Sequence, residues 1–265
     1  MRRLYLLHCL VAAVGVGFTF CPTPGIAQNK PFRLAYSDVS TYPYQVGEGL
    51  QIPEPAGISI DIIKQAAKDN GITIEFHRLP NKRVLLELQS GVIDGAFIFS
   101  HNAERQVFAE YPRKNGVPDP ARRVARLSYY LYRQKNSPVT WNGSQFQGLQ
   151  GPIGANAGYS IIGDLRKMGV TVEEAKSTEQ NFNKLQLGRL AAVATQDNIA
   201  DPYLQKNQLH DIEKLPLPLA EKDYFLIFNR SFTEKNRQQV EKLWDRIGVI
   251  RDQITHKQLP HYPPP

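Results

Sequence analysis

Arg105 carries the clearest chemistry in this chain, because it follows an apolar run at residues 93–99 and falls in the first turn of a predicted helix. A cation there opposes the positive end of the helix dipole, which points to an anion nearby. A guanidinium suits a carboxylate in particular, since its planar donors meet both oxygens at once. The alternative is a local pair with Glu104 or Glu110, common on solvated helix faces. Ser100 or Asn102 is placed to cap the same helix. The stretch Asn156-Ala157-Gly158-Tyr159-Ser160 joins a second predicted strand to a helix, and it either offers free amides to an anion or is an ordinary tight junction. Tyr36, Tyr42 and Tyr44 either stack on a ligand or pack half-buried at a strand end. His101 and Glu48 are the candidates for a general acid or base, without a paired constellation around them. No Ser/His/Asp arrangement, phosphate loop or metal spacing appears; His256 and His261 lack a carboxylate or thiol partner, so no metal or cofactor is expected.

These residues need a scaffold of strands that feed helices. Ile74 and Phe76 alternate with Glu75 and His77 as a strand ended by Leu79-Pro80, and Val84, Leu85 and Leu88 then repeat at helical spacing up to Gly91. The run 93–99 reads as a parallel strand covered on both faces. Upstream, 32–37 is a strand, and 58–70 a helix whose Ile58, Ile62, Ile63, Ala66 and Ala67 form one stripe, stopped by Asn70-Gly71. Residues 112–120 read as a loop and 126–133 as a tyrosine-rich strand crossing to a second lobe. There the pattern recurs: strand 152–157, helix 158–168, a strand around Val170 and Val172, a helix from the capping box Ser177-x-x-Gln180 to Gly188, and strand 190–194. The stretch from Leu185 echoes that from Leu86, a pseudo-repeat between lobes. Residues 224–229 read as the strand that returns. Ser231-x-x-Glu234 then caps a helix with Val240, Leu243, Trp244 and Ile247 on one face, and the proline-rich tail from Leu259 is expected to be loosely held. In open α/β sheets ligands bind beyond the carboxyl ends of the strands, so both lobes should turn these junctions toward an interlobe cleft.

The order and spacing of several of these features resemble the family 3 extracellular solute-binding proteins, the periplasmic amino-acid receptors of ABC importers. The matching residues are Leu86 to Gly91, Asp94, Ser100 and Glu104-Arg105, the aromatic-proline loop Thr41-Tyr42-Pro43-Tyr44, and the helix start Gly57-Ile58-Ser59-Ile60-Asp61-Ile62. The resemblance spans nearly all of the chain after its N-terminal segment. It implies an α/β, two-lobed type II periplasmic-binding-protein fold with a mixed sheet in each lobe and two hinge-crossing strands. It implies further that Arg105 holds a ligand carboxylate, that Ser100 shares it, that Tyr42 and Tyr44 lie on the same wall, and that Gly158 lies opposite. Two positions depart from the pattern. Tyr159 stands where threonine or serine usually follows the glycine, and Gln196, eight residues beyond Gly188, stands where an aspartate usually meets an ammonium group, with Asp197 next to it.

Arg2 and Arg3 precede a charge-free apolar stretch and then Pro22, Pro24, Gly25 and Ala27, which reads as an export signal (1–27) cut after Ala27 and a periplasmic mature protein. Cys9 and Cys21 both fall in that segment, so the mature chain is expected to contain no thiol. The expected division is then 28–124 for the first lobe, 125–223 for the second and 224–265 for the return to the first. Removing two arginines lowers the formal charge of +7 to +5. Nucleic acid is not expected as a partner, because no binding module for it is present. The basic cluster of Arg113, Lys114, Arg122, Arg123, Arg126, Arg133 and Lys135 is either a solvated surface or a steering patch for an anion. The function that the resemblance implies is a monomeric receptor closing on a small carboxylate-bearing, amino-acid-like solute for a membrane permease. The alternatives are a sensing subunit for a receptor kinase and a dehydratase on the same fold.

Overall fold

The computed structural model describes residues 30–262, and the expected export segment lies outside them. The chain opens with β1 (Phe32–Ser37), α1 (Ile58–Asp69), β2 (Ile74–Leu79), α2 (Asn81–Ser90) and β3 (Gly95–Ser100). β1 pairs in parallel with β2 on one side and β3 on the other. The isoleucine stripe of α1 is buried, and Asn70 and Gly71, the latter at φ 65°, end the helix. Gly91 does the same for α2 in the left-handed conformation. Asp94 is a structural clamp: its carboxylate accepts from the Arg33 amide at 2.8 Å and from the Arg33 guanidinium at 2.7 Å, tying the start of β3 to β1.

Beyond β3 the helix expected at Arg105 is a single 3-10 turn, Arg105–Val107. Asn102 is the capping residue, its Oδ1 accepting from the amides of Glu104 and Arg105. The chain is then drawn back into the sheet as β4 (Ala109–Glu110), opposite Phe228 and Asn229, so no longer helix can form. A dipole argument for an anion therefore has little helix behind it. Inside the expected 112–120 loop, β5 (Arg113–Lys114) and β6 (Val117–Pro118) make a small hairpin.

β7 (Ala125–Gln134) crosses to the second lobe, which comprises the hairpin β8 (Thr140–Trp141) and β9 (Phe146–Gln147), then β10 (Ile153–Asn156), α3 (Ile161–Lys167), β11 (Val172–Ala175), α4 (Thr178–Gln186), β12 (Ala192–Gln196), α5 (Asp197–Lys206) and β13 (Ile212–Lys214). α3 starts three residues later than expected because Gly158, at φ 79°, keeps the chain out of the helix. At α4 the Ser177 hydroxyl accepts from the Gln180 amide as the capping box requires, but Gln180 reaches back to the Lys176 amide instead of that of Ser177. β14 (Ala220–Asn229) returns, and α6 (Arg230–Gln258) closes the first lobe. Asn229, not Ser231, caps α6 by accepting from the Phe232 amide, so strand passes to helix with no linker.

The strand order explains how two lobes share one sheet. In the first it is β2-β1-β3-β14-β4, and in the second β11-β10-β12-β7-β13; β7 and β14 pair antiparallel with each other and join the two. The first lobe packs α1 and α6 on one face, where Ile58, Ile62, Val240, Leu243 and Trp244 are buried. Full burial of each such aliphatic side chain contributes about 1.5–3 kcal/mol. The basic cluster is largely neutralised by carboxylates from other elements: Arg122 meets Glu241 and Asp245, Arg123 and Arg126 meet Asp223, and Arg133 meets Glu213. It is an ion-paired surface.

The described part of the tail, residues 259–262, is held, contrary to the loose end expected. Tyr262 is buried, its hydroxyl donates to Asp61 at 2.8 Å and accepts from the Gly57 amide at 3.1 Å, and its carbonyl accepts from Tyr42. Pro260 sits in a 3-10 turn, Leu259–His261, that leads to this anchor. Tyr262→Phe should destabilise the protein by about 1–2 kcal/mol through the stranded Asp61, and Tyr262→Ala by about 3 kcal/mol or more through the lost ring as well. Equilibrium urea denaturation measures both, and an unchanged midpoint for Tyr262→Ala would show that the tail anchors nothing.

Candidate functional site

The carboxyl ends of the strands from both lobes converge on a cavity of about 30 Å³, room for no more than a few water molecules. Its wall from the first lobe comprises Ser37 at the end of β1, Thr41 and Gln45 in the loop beyond, Asn81 at the start of α2, and Ile98, Phe99, Ser100 and Arg105. The second lobe supplies Gly158, Tyr159, Ser160 and Gln196, and the crossing strands add Tyr129 and Tyr224. Local backbone geometry aims the end of β3 into this space. Ile98 has φ 60°, rare for a β-branched residue, and the register against β14 slips there, so that Ile98 is the extra residue of a bulge. Strain of about 1–3 kcal/mol at such a residue persists only where the surroundings enforce it. Here Ile98 packs against the cores of both lobes.

Arg105 is 6% exposed, with its guanidinium carbon 5.2 Å from the ring centre of Phe99. It donates to the carbonyls of Ser100 at 2.9 Å and Gly158 at 2.7 Å. Neither Glu104 nor Glu110 pairs with it; Glu110 instead lies between Arg113 and Arg230. Among the described residues no carboxylate forms an ion pair with Arg105. Two carbonyl dipoles therefore stand where a counter-charge would be expected for a cation taken out of water.

The lobes are closed on one another. Ser100 Oγ lies 2.6 Å from Ser160 Oγ, Asn81 donates to the Ala157 carbonyl at 3.2 Å, Asn198 to the Tyr42 carbonyl at 2.5 Å, and Lys82 lies 3.5 Å from Glu174. Lys222 Nζ donates to Ser160 Oγ at 3.0 Å and pairs with Asp164. Burial pushes the Lys222 ammonium below its usual range, and Asp164 opposes that shift. At Gly158 the close approach itself requires glycine: φ is 79°, and an added Cβ would fall 2.6 Å from Asn81 Nδ2.

Gln196 and the tyrosines form one network. Gln196 Nε2 donates to Tyr224 Oη at 2.6 Å and lies 3.3 Å from Tyr129 Oη, while Tyr224 donates to Tyr129 at 2.9 Å. Burial holds all three neighbouring tyrosine hydroxyls, of Tyr129, Tyr159 and Tyr224, protonated far above neutral pH.

Of the residues singled out in the sequence, Ser100, Arg105, Gly158, Tyr159 and Gln196 come together here, whereas Tyr42, Tyr44 and Asp197 do not line the cavity. Tyr42 turns to Tyr262, and Tyr44 is packed between the two lobes' cores. Asp197 opens α5, with Oδ1 accepting from the Asn198 amide. The pairing of Gln196 with Tyr129 fixes the register of β12, and the residue after it leaves on the other side. The free amides expected at 156–160 are partly occupied, since Ala157 N donates to Ala175 and Tyr159 N to Asn156. Gly158 presents its carbonyl instead. His101, which contacts Gln106, and Glu48, which accepts from the Ser40 amide, also lie outside the cavity lining. Gln45, Asn81, Tyr129 and Tyr224 were not singled out, and Thr41 and Ser160 were named only as members of the loop and the junction that contain them. The Leu79-Pro80 strand end was a signal for Asn81, and the tyrosine-rich crossing strand one for Tyr129.

No protein-family model matches this sequence, and no curated protein matches it. Solved structures do. The substrate-binding protein of an amino-acid ABC transporter is 17% identical, with a TM-score of 0.65 over 86% of this chain and 98% of that one. A histidine kinase sensor domain similar to periplasmic binding proteins is 13% identical, with a TM-score of 0.67 over 87% and 94%. The ligand-binding core of GluR0 from Nostoc punctiforme, in complex with L-glutamate, is 16% identical, with a TM-score of 0.64 over 89% and 100%. The chain thus has the fold of the periplasmic binding proteins. With each sheet ordered 2-1-3 and completed by a strand arriving from the other lobe, it is the two-lobed type II form.

If the cross-cleft bonds hold the lobes together, removing two of them should shift the population toward an open form. Asn81→Ala combined with Asn198→Ala is expected to cost about 2 kcal/mol of closure, roughly thirtyfold in the equilibrium. Distances between spin labels on α2 and α3 should lengthen in the double variant. Distributions identical to those of the parent would show that these bonds do not govern closure.

Proposed function

We propose that this chain is a periplasmic solute-binding receptor of the amino-acid-receptor family, closing on a small carboxylate-bearing, amino-acid-like solute and delivering it to the permease of an ABC importer. The observation that carries this reading is the buried, unpaired Arg105 at the junction of the two lobes. A carboxylate would give the guanidinium the counter-charge that two carbonyls do not supply, and Ser100 and Ser160 hydroxyls stand beside it. Closing around that ion would also join the lobes, since Arg105 belongs to the first and its bond to Gly158 reaches the second. The closed form is then the signal for the membrane partner. On this reading the mature protein begins at Gln28 and acts as a monomer without a cofactor. Its lobes divide at 124/125 and 223/224, close to where β7 begins and within β14. On the same reading the protein binds and does not catalyse, which is supported by the position of His101 and Glu48 outside the cavity lining. A second reading, a sensing subunit for a receptor kinase, draws support from the likeness to the kinase sensor domain.

A thermal-shift screen of the protein from Gln28 onward against small carboxylates should give at least one stabilising compound; at a hundred times its dissociation constant it would contribute about 2.7 kcal/mol. Calorimetry on that compound should then show Arg105→Ala weakening binding by about 2 kcal/mol or more. Full affinity in a folded Arg105→Ala protein would remove Arg105 from the site.

A further inference from the structure

Two glutamines in the cavity wall are nearly inaccessible, Gln45 at 1% and Gln196 at 2% exposed, and each has a side-chain oxygen with no hydrogen-bond partner. The orientation of the Gln45 amide is fixed by chemistry: its nitrogen lies 2.9 Å from the Val39 carbonyl, which can only accept. Its Oε1 is therefore an acceptor left over; the Gln196 amide is held only by two hydroxyls, which can each donate or accept, and as placed it likewise leaves its Oε1 unpaired. An unsatisfied buried acceptor is costly, so two in one small cavity call for a donor on whatever enters. Beside them lies a donor. Tyr129 Oη accepts from Tyr224 and receives Gln196 Nε2 at longer range, which leaves its own hydrogen without an acceptor among these contacts.

The charge in the wall is one-sided. Arg105 is the one ionised side chain among the lining residues, and Lys222 reaches Ser160 from just behind it. Among the described residues no carboxylate lines the cavity: Asp164 is taken by Lys222, and Asp197 faces its own helix. An ammonium group, which carries a positive charge and only donates, would meet two cations and neutral oxygens. A ketone only accepts and would leave both glutamine oxygens stranded. A hydroxyl is neutral, donates one hydrogen and accepts others, and so fits Gln45 or Gln196 Oε1 on one side and Tyr129 on the other.

We propose that Gln45 and Gln196 are the specificity-determining residues of this receptor and that they select a 2-hydroxy carboxylate, with its carboxylate on Arg105 and its hydroxyl between the glutamine oxygens and Tyr129. This rests on the reading of the site as a carboxylate receptor. The test is calorimetry on the mature protein with matched sets of 2-hydroxy, 2-oxo and 2-amino acids, such as L-lactate, pyruvate and L-alanine and their longer-chain counterparts. The 2-hydroxy member of the best-binding set should bind at least about tenfold more tightly than both others, because a site built to bond a hydroxyl rejects analogues that leave its polar groups unpaired. Gln196→Leu should weaken that member about tenfold while changing the 2-oxo acid little. Gln196→Glu, which installs the missing negative charge, should reverse the order in favour of the 2-amino acid, and it keeps the test decisive if the leucine variant fails to fold. A 2-amino acid bound most tightly by the unaltered protein, with loss on Arg105→Ala, would overturn the hydroxyl assignment and leave the receptor reading intact. Failure of every carboxylate to bind would overturn the receptor reading itself.

Discussion

The unpaired guanidinium of Arg105 is the constraint around which the cleft is organised. Taking an ion of this size out of water costs several kcal/mol even after relaxation. The chain answers with partial compensation: two backbone carbonyls, one from each lobe, and the face of Phe99. The bulge at Ile98 and the Asn102 cap then make sense as the means of presenting Ser100 and Arg105 together, one at the end of a strand and the other in a turn too short to be a helix. Tyr111 supports the same carbonyl of Ser100 that Arg105 uses, which keeps the turn from drifting.

The lobes are joined through β7 and β14, whose antiparallel pairing carries the sheet across the waist. Motion between the lobes must therefore bend or twist this two-stranded ribbon, because its ladder leaves no flexible linker to rotate about. Tyr44 and Ile98 each touch the apolar cores on both sides of the waist and so restrict which directions of bending are cheap. The polar cross-cleft contacts of Asn81, Asn198 and Lys82 are single hydrogen bonds or ion pairs and easier to break individually.

Much of the scaffold was legible because it is written in short-range patterns. The stripe of α1, the alternation of β2, the apolar run of β3 and the glycine stops each declare themselves within about ten residues. The failures have a common cause in partners distant in sequence. Tyr262 is fixed by Asp61 and Gly57, and β4 by β14. In the site, Arg105 was visible from its place in a predicted first turn, and Gln196 only through the resemblance, as the residue eight beyond Gly188. The choice of Thr41 and Gln45 over the flanking Tyr42 and Tyr44 was not, because it depends on which way a loop turns once its tyrosines find apolar neighbours and the tail. Gln45 gave no local signal at all: its single-residue chemistry is ordinary, and only burial without a partner gives its oxygen meaning.

Gly158 has a consequence for the protein as a machine. It lies where the second lobe comes nearest to Asn81 of the first, and the space a methyl group would need is already occupied there. What gives way to a larger residue there is the Asn81 amide, the far end of a flexible side chain, and that amide is also the group that reaches across to the Ala157 carbonyl. A side chain at position 158 would thus take its space from a bond between the jaws, so that a single hydrogen atom here leaves the latch free to engage.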